Sequence, residues 1–354
     1  MALTRDNHFV PQLYLKNFST VSGEVHEYRT LVSHSSVPVW KRVNVAGTGY
    51  EKNLYTRIVR GEEADDIEQW LNREFESPAK EPFEKVLADR EPTQGDWEML
   101  VRFLASQIVR TPAFLMKNLP IWNQMAPLVL DQAMKEAKAR LHEAIKAKES
   151  GEEIEDEDVP HAEYFPVKTD RKELPEPEEK MVQFTTTLMV DRRMWFYTMK
   201  HTLTDTLKVL HRHKWVILEA PARLEWFTSD DPVICLNYRS DSEYDFNGGW
   251  NRARGNILFP LSPRHLMFTQ IGADPYPRKV PSRYHARLFR RMIAQHAHRR
   301  VYCLAKDDRV PQLKVRVVDA NAFQNERALW AAWYEDQSRA EQALRYSAQC
   351  PTSG

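Results

Sequence analysis

The sequence predicts an α+β fold: a mostly helical single domain over residues 1–354 with an antiparallel β part. Two observations carry this reading. Apolar residues recur at helical spacing over residues 65–76, 96–110, 178–213 and 319–348. Strand-like alternation is gathered into residues 23–45 and 215–318 instead of alternating with the helices.

The elements follow in order. Pro11 suits a first helical turn, where its missing N–H has no partner to lose, and Leu13, Tyr14 and Phe18 form an apolar stripe. Residues 23–31 and 37–45 alternate as a hairpin or meander. Ile67, Trp70, Leu71 and Phe75 mark a helix, and Phe83, Val86 and Leu87 another helical piece. Residues 96–110 form the clearest helix, with Trp97, Leu100, Leu104 and Ile108 on its core face, and Pro112 marks its stop or kink. A helix resumes over residues 115–148. Residues 149–158 carry seven acidic side chains, and the prolines up to Pro177 extend an exposed, mobile connection over 149–177. Residues 178–213 read as a long amphipathic helix or kinked pair. Short strands are expected at 215–219, 224–227, 232–236, 256–260, 265–270, 299–305 and 313–318, with a basic helix at 281–295. Asp319 caps a closing helix whose buried side carries Phe323, Leu329, Trp330, Trp333 and Tyr334.

Composition excludes several classes. Lys plus Arg and Asp plus Glu are each 50, so no basic coat for nucleic acid or membrane covers the whole chain. No apolar run reaches the roughly 18 residues of a spanning helix, and the first residues lack the pattern of a signal peptide. Three distant cysteines, Cys235, Cys303 and Cys350, form neither a disulfide framework nor a thiolate zinc site. A cytoplasmic protein with no membrane partner is expected. No glycine-rich phosphate loop of the dinucleotide or P-loop kind occurs, so no nucleotide-cofactor motif is present.

The most distinctive string is His8-Phe-Val-Pro11-Gln-Leu-Tyr14-Leu-Lys-Asn-Phe18. It resembles the H-x-x-P-x-x-Y-L-x-x-F opening of the bacterial domain-of-unknown-function family 4238. Three later stretches are similar to that family too: Gln107-Ile-Val-Arg110-Thr111-Pro112, Phe227-Thr-Ser-Asp230-Asp231-Pro232-Val, and Phe259-Pro-Leu-Ser262-Pro263. The resemblance covers about residues 8–305 and implies a shared fold and a shared site, but no activity. The family pattern has Asn where Asp231 stands.

These stretches supply the candidate site. His8 near a helix N-terminus suits an acid, a base or an anion donor; as a cap it would bond backbone instead. Arg110, with Gln107 one turn before it and Thr111 after, can fork onto a phosphate or a carboxylate; the bland reading pairs Arg110 with a carboxylate such as Asp230. Ser229, Asp230, Asp231 and Pro232 read equally as a catalytic loop and as a tight turn. His211-Arg-His213 and His296-Ala-His298 sit near helix ends, which favours cationic histidine over metal binding, and no metal ligands are assigned. Arg287, Arg290 and Arg291 can share one helix face as a phosphate or nucleic-acid surface, or pair with the acidic residues 149–158.

The expectation is an enzyme on a phosphate-bearing or nucleic-acid substrate. His8, Arg110 and Asp230 would be catalytic, with Gln107, Thr111, Asp231, Arg287, Arg290 and Arg291 binding and a divalent cation as one option for the carboxylates. The alternative is a non-catalytic binding or sensor protein that docks a partner on Arg283–Arg300. The enzyme reading requires His8, Arg110 and Asp230 to converge within hydrogen-bond or one-water reach.

Overall fold

The computed structural model describes residues 3–59, 61–150, 167–173, 182–274 and 276–349. Of the expected mobile connection over 149–177, residues 151–166 and 174–177 lie outside the described residues, while residues 149–150 end helix Pro112–Ser150 and Val167–Glu173 is a strand, which the expectation did not foresee. Two compact units result: Met1–Phe114 with Thr202–Asp336, and Leu115–His201 with Gln337–Gly354. Helix takes 47% and strand 21%, so the fold is α+β, with too many strands for a mostly helical description.

The first unit holds two main antiparallel sheets. The five-stranded sheet runs Val216–Glu219, His265–Gln270, Asn256–Pro260, Ile234–Ser240, Glu243–Asp245 in spatial order. Its apolar face packs with helix Arg283–His296 into one core that includes Trp226, Phe227, Leu236, Leu258, Phe268, Phe289, Met292 and Ile293. The four-stranded sheet runs Thr228–Ser229, Arg300–Cys303, Glu24–Arg29, Trp40–Asn44. Tyr28, Val301 and Cys303 on one of its faces join the same core. The opposite face is polar, and the candidate site is built on it.

Several local forecasts hold. Residues 24–29 and 40–44 pair antiparallel as the alternation requires. The helix expected over 96–110 is found as Gln94–Val109, which Thr93 caps through a reciprocal box with Asp96. Asp319 Oδ1 accepts the Ala322 N–H at 2.9 Å, capping helix Ala320–Gln349. Leu100 and Leu104 are wholly buried, while Trp97 and Ile108 at the margins of that face are half-buried. Leu104→Ala is expected to cost about 2–5 kcal/mol in denaturant unfolding, because a sealed site cannot collapse around the lost atoms.

Other elements differ. Val182–Leu188 is a strand paired with Val167–Glu173, where the helical spacing of Met181, Phe184 and Leu188 predicts a helix. Three consecutive threonines, stiff at χ1, override that spacing. Helix begins only at Arg192. Residues 224–227 are not a strand: Trp226 donates its N–H to Pro263 O and turns its ring into the core from a loop. Val317–Val318 pairs with Leu31–Val32 in a parallel ladder, so the β part is not wholly antiparallel. Leu329 is exposed, and Trp333 is the buried member of its helix face.

The second unit contains most of helix Pro112–Ser150, the 167–188 strand pair and helix Arg192–His201. Trp195, Phe196 and Met199 are buried there. The buried Arg192 guanidinium forks onto Glu341, with bonds of 3.0 and 2.8 Å.

Candidate functional site

The polar face of the four-stranded sheet follows from strand periodicity. Glu27 and Arg29 lie two apart on one strand and therefore share a face. Directly opposite them stand Tyr302 and Arg300. Two guanidiniums facing each other across a ladder repel, and Glu27 lies between them to offset this. Its carboxylate accepts Arg29 Nε at 2.6 Å and Thr48 Oγ1 at 2.7 Å, and lies 3.7 Å from Arg300 Nε. Burial pushes the Glu27 carboxyl up, but Arg300, Arg29 and Thr48 outweigh it and hold it below the ordinary value.

Two walls rise from this floor. One is the segment Gly47–Lys52. Gly49 has φ +69°, and a Cβ there would meet Val10 and Leu15 at 3.2 Å, so the turn accepts only glycine without strain. The other wall is residues 323–331 of helix Ala320–Gln349. Phe323, Glu326, Arg327 and Trp330 fall on one face by helical spacing. Floor and walls enclose a cleft of about 510 Å³. An inner recess of about 30 Å³ adds Phe9, Pro112, Ala113, Asp230 and His298 and shares Glu51, Arg299, Arg300, Glu326 and Trp330 with the cleft.

Charge in the cleft is lopsided. Arg29, Lys52, Arg299, Arg300 and Arg327 face Glu27, Glu51 and Glu326, with Asp230 a fourth carboxylate in the recess. Glu326 is committed to Arg299, whose Nε donates at 2.6 Å. Lys52 and Arg327 are exposed, and their side chains make no hydrogen bond or ion pair among the described residues. Burial raises the Glu51 carboxyl above its ordinary value; Arg300 opposes this and Glu326 adds to it. A carboxyl that keeps its proton longer than usual, inside an arginine-rich cleft, has the properties of a general acid–base.

The residues singled out from sequence lie mostly behind this cleft. Of those given catalytic or binding roles, Asp230 is the one that lines it, in the recess; His298 of the second His pair and Arg299 and Arg300 at the end of the arginine run line it too. The Asp230 oxygens accept the backbone N–H groups of His298 at 3.0 Å and Arg299 at 2.8 Å, which fixes the Arg299–Arg300 segment. No hydrogen bond joins the side chains of the expected trio to one another. Arg110 is fully buried; it donates to Glu76 at 2.7 Å and to the backbone carbonyl of His8 at 2.6 Å, leaving the imidazole and Asp230 to other partners. Burial opposes its charge, but Glu76, Tyr55 and Glu68 raise its proton affinity beyond the ordinary value. His8 sits on strand Asp6–His8 against the Tyr50 ring, and burial lowers its pKa. His8 and Arg110 are outside the cleft lining.

Gln107 is sealed in the core and bonds Ser106. Thr111 accepts the Phe114 N–H and reaches Asp231 Oδ1 at 3.4 Å. The Ser229 hydroxyl closes a tight turn by bonding the Asp231 carbonyl at 2.8 Å, and His296 packs on that carbonyl, so the turn reading of Ser229–Pro232 prevails. The basic helix face is not formed as a face. Arg290 is buried, bonded to Asp307 and Glu225 O, over the Phe227 ring. Arg291 donates to Asp241 O, and Arg287 alone of the three is exposed. Among the described residues no three His, Cys, Asp or Glu side chains are grouped to hold a metal, and Cys303 is in no disulfide.

The distinctive sequence stretches nevertheless meet. Tyr14 OH donates to Pro260 O at 2.6 Å and lies 2.6 Å from Thr228 Oγ1, tying the opening string to two of the three later stretches. Asn17 donates to Leu261 O. These are buried structural links with Phe83, Phe103 and Phe259 around Tyr14. Ser262, His265 and Asp89 also form a chain, with 2.9 Å at each step. Ser262 is only 3% exposed, and its Oγ already accepts two backbone N–H groups, so this chain braces a hairpin turn and presents no nucleophile.

Beside Arg110, burial lifts Glu68 to about 7; Arg110 opposes the rise, and Glu76 and Asp65 add to it. Its Oε2 is buried without a hydrogen bond. The folded state therefore keeps a proton that the unfolded chain, near its ordinary 4.5, has lost. Stability is expected to fall by about 3 kcal/mol as pH rises from 4.5 to 7 on this account alone. Glu68→Gln should remove that slope in urea unfolding followed across pH; an unchanged slope assigns it elsewhere.

Sequence periodicity held a signal for the missed residues. Glu27 and Arg29 alternate on the exposed-looking face of a predicted strand, and Arg299-Arg300 closes the arginine run. Opposition of these residues across a ladder joins positions more than 250 apart, which one sequence does not reveal.

A family model described as Protein of unknown function (DUF4238) matches residues 6–307. No curated protein and no solved structure matches the chain.

Proposed function

The chain belongs to the DUF4238 family, and on that footing we propose an enzyme that acts on a phosphate-bearing substrate in this cleft, with Glu51 as general acid–base. One observation carries the reading: five cations line the cleft against four carboxylates, Asp230 of the recess included, and Lys52 and Arg327 make no hydrogen bond or ion pair among the described residues and can take an anion. Lys52, Arg327 and Arg29 hold the phosphate. Arg300, kept protonated by Tyr302 and Glu27 despite burial, offsets charge that develops on it. Glu51, whose proton affinity burial raises, delivers its proton to a leaving oxygen and takes one from the incoming group. Asp230 is a positioning residue in this scheme, because it fixes the backbone that carries Arg299 and Arg300. The expected catalytic roles of His8 and Arg110 pass to cleft residues. A bacterial, cytoplasmic setting belongs to the same proposal.

Calorimetry with inorganic pyrophosphate tests the anion site. The wild type should bind, and the Lys52→Ala, Arg327→Ala double variant should bind at least tenfold more weakly. Each lost phosphate cation should also lower the salt dependence. Equal binding by both proteins rejects this cleft as the phosphate site.

A further inference from the structure

The proposed anion site accounts for one end of the cleft chemistry and leaves its aromatic wall unused. Resting on the phosphate reading, we propose that the substrate is a nucleotide, with its base stacked on Trp330 and the edge of that base directed at His298.

Three rings line the cleft: Tyr50, Phe323 and Trp330. Trp330 is half-buried and borders both the cleft and the recess. It lies three residues beyond Arg327, so a cation and an indole are neighbours on one helix face. A phosphate held by Arg327 places the remainder of its ester along that face, where the indole offers a flat apolar surface. Base–aromatic stacking suits such a surface and tolerates any base, because every base has a π-face.

The recess supplies the second, independent observation. His298 Nε2 is buried and has no hydrogen-bond partner, the carboxylate of Glu326 being 3.8 Å away. A buried ring nitrogen without a partner is costly, and this one lines the recess beside Trp330. Its backbone N–H is held by Asp230. The recess, about 30 Å³, has room for a single polar group such as an exocyclic amine or carbonyl. A sugar phosphate without a base would fill the anion site and leave both the indole face and His298 uncovered.

The test compares ribose 5-phosphate with AMP, GMP, CMP and UMP by calorimetry. At least one nucleotide should bind about tenfold or more tighter than ribose 5-phosphate. Trp330→Leu should remove that margin while ribose 5-phosphate affinity stays as in the wild type. Trp330→Phe, which keeps a ring, should retain most of the margin and guards against a folding defect in the leucine variant. His298→Ala should weaken the preferred nucleotide several-fold and narrow the spread among the four. Equal affinities for nucleotides and ribose 5-phosphate overturn the nucleotide assignment and leave the phosphate site standing, as does a margin that survives Trp330→Leu. Failure of all five ligands to bind overturns the phosphate reading and this inference with it.

Discussion

Arg110→Met is expected to lower folding stability by about 3–5 kcal/mol in denaturant unfolding. Arg110 has 0% exposure, and its guanidinium joins two segments far apart in sequence. One nitrogen neutralises Glu76 and another holds the His8 carbonyl at the start of the opening string. Truncation strands a carboxylate next to Glu68 and frees a buried carbonyl, and each loss carries a desolvation penalty. The neighbours set a second expectation. Glu76→Gln introduced with Arg110→Met should recover part of the loss, because the stranded charge is removed with its partner. A double variant as unstable as the sum of the singles would mean that Glu76 is not the partner that matters. Pyrophosphate affinity of any folded Arg110 variant should be unchanged, since Arg110 does not line the cleft.

Glu51→Gln carries the largest expected effect on activity. Turnover across a panel of phosphomonoesters and nucleotides should fall by about 10²–10⁴-fold, the usual worth of a positioned acid–base. Binding gives a readout that does not depend on turnover. Burial holds the Glu51 proton above the ordinary glutamate range, so at lower pH the group is neutral and tolerates an anion. As pH rises through that raised value the carboxylate ionises and repels the anion, and affinity should fall. The amide introduced by Glu51→Gln stays neutral at every pH, so the variant's affinity should lack this fall. Wild-type affinity that is already flat across the acidic range would remove Glu51 from the anion's neighbourhood.

Much of the fold was legible because its elements are locally consistent. Strands Asn256–Pro260 and His265–Gln270 carry their own β-branched and aromatic residues and turn signals, and their forecast bounds coincide with the structure. Residues 182–188 were misread because apolar spacing and threonine stiffness conflict there, and the sheet partner at 167–173 decides. The site was less legible. The motif residues are distinctive because they are structural joints. Pro11 starts the turn that aims Tyr14, Tyr14 ties Pro260 to Thr228, and Arg110 clasps the His8 carbonyl. Distinctive local strings thus led to the frame, with Asp230 as the point where frame meets cleft. Glu27, Glu51 and Arg327 sit in unremarkable local sequence and Arg300 at the end of the arginine run, and their shared chemistry arises only when the strands Glu24–Arg29 and Arg300–Cys303 pair and the closing helix lies alongside. The basic run failed for the converse reason. Its helix must bury Leu288, Phe289, Met292 and Ile293, and that requirement carries Arg290 inward to Asp307.

A crystal structure of the protein soaked with inorganic phosphate tests the central claim most directly. Phosphate is expected in the cleft, within hydrogen-bond distance of Lys52, Arg327 or Arg29 and facing Glu51. Phosphate seated instead on Arg287 of the basic helix, or bound only outside the cleft, would contradict the claim that this polar sheet face is the functional site.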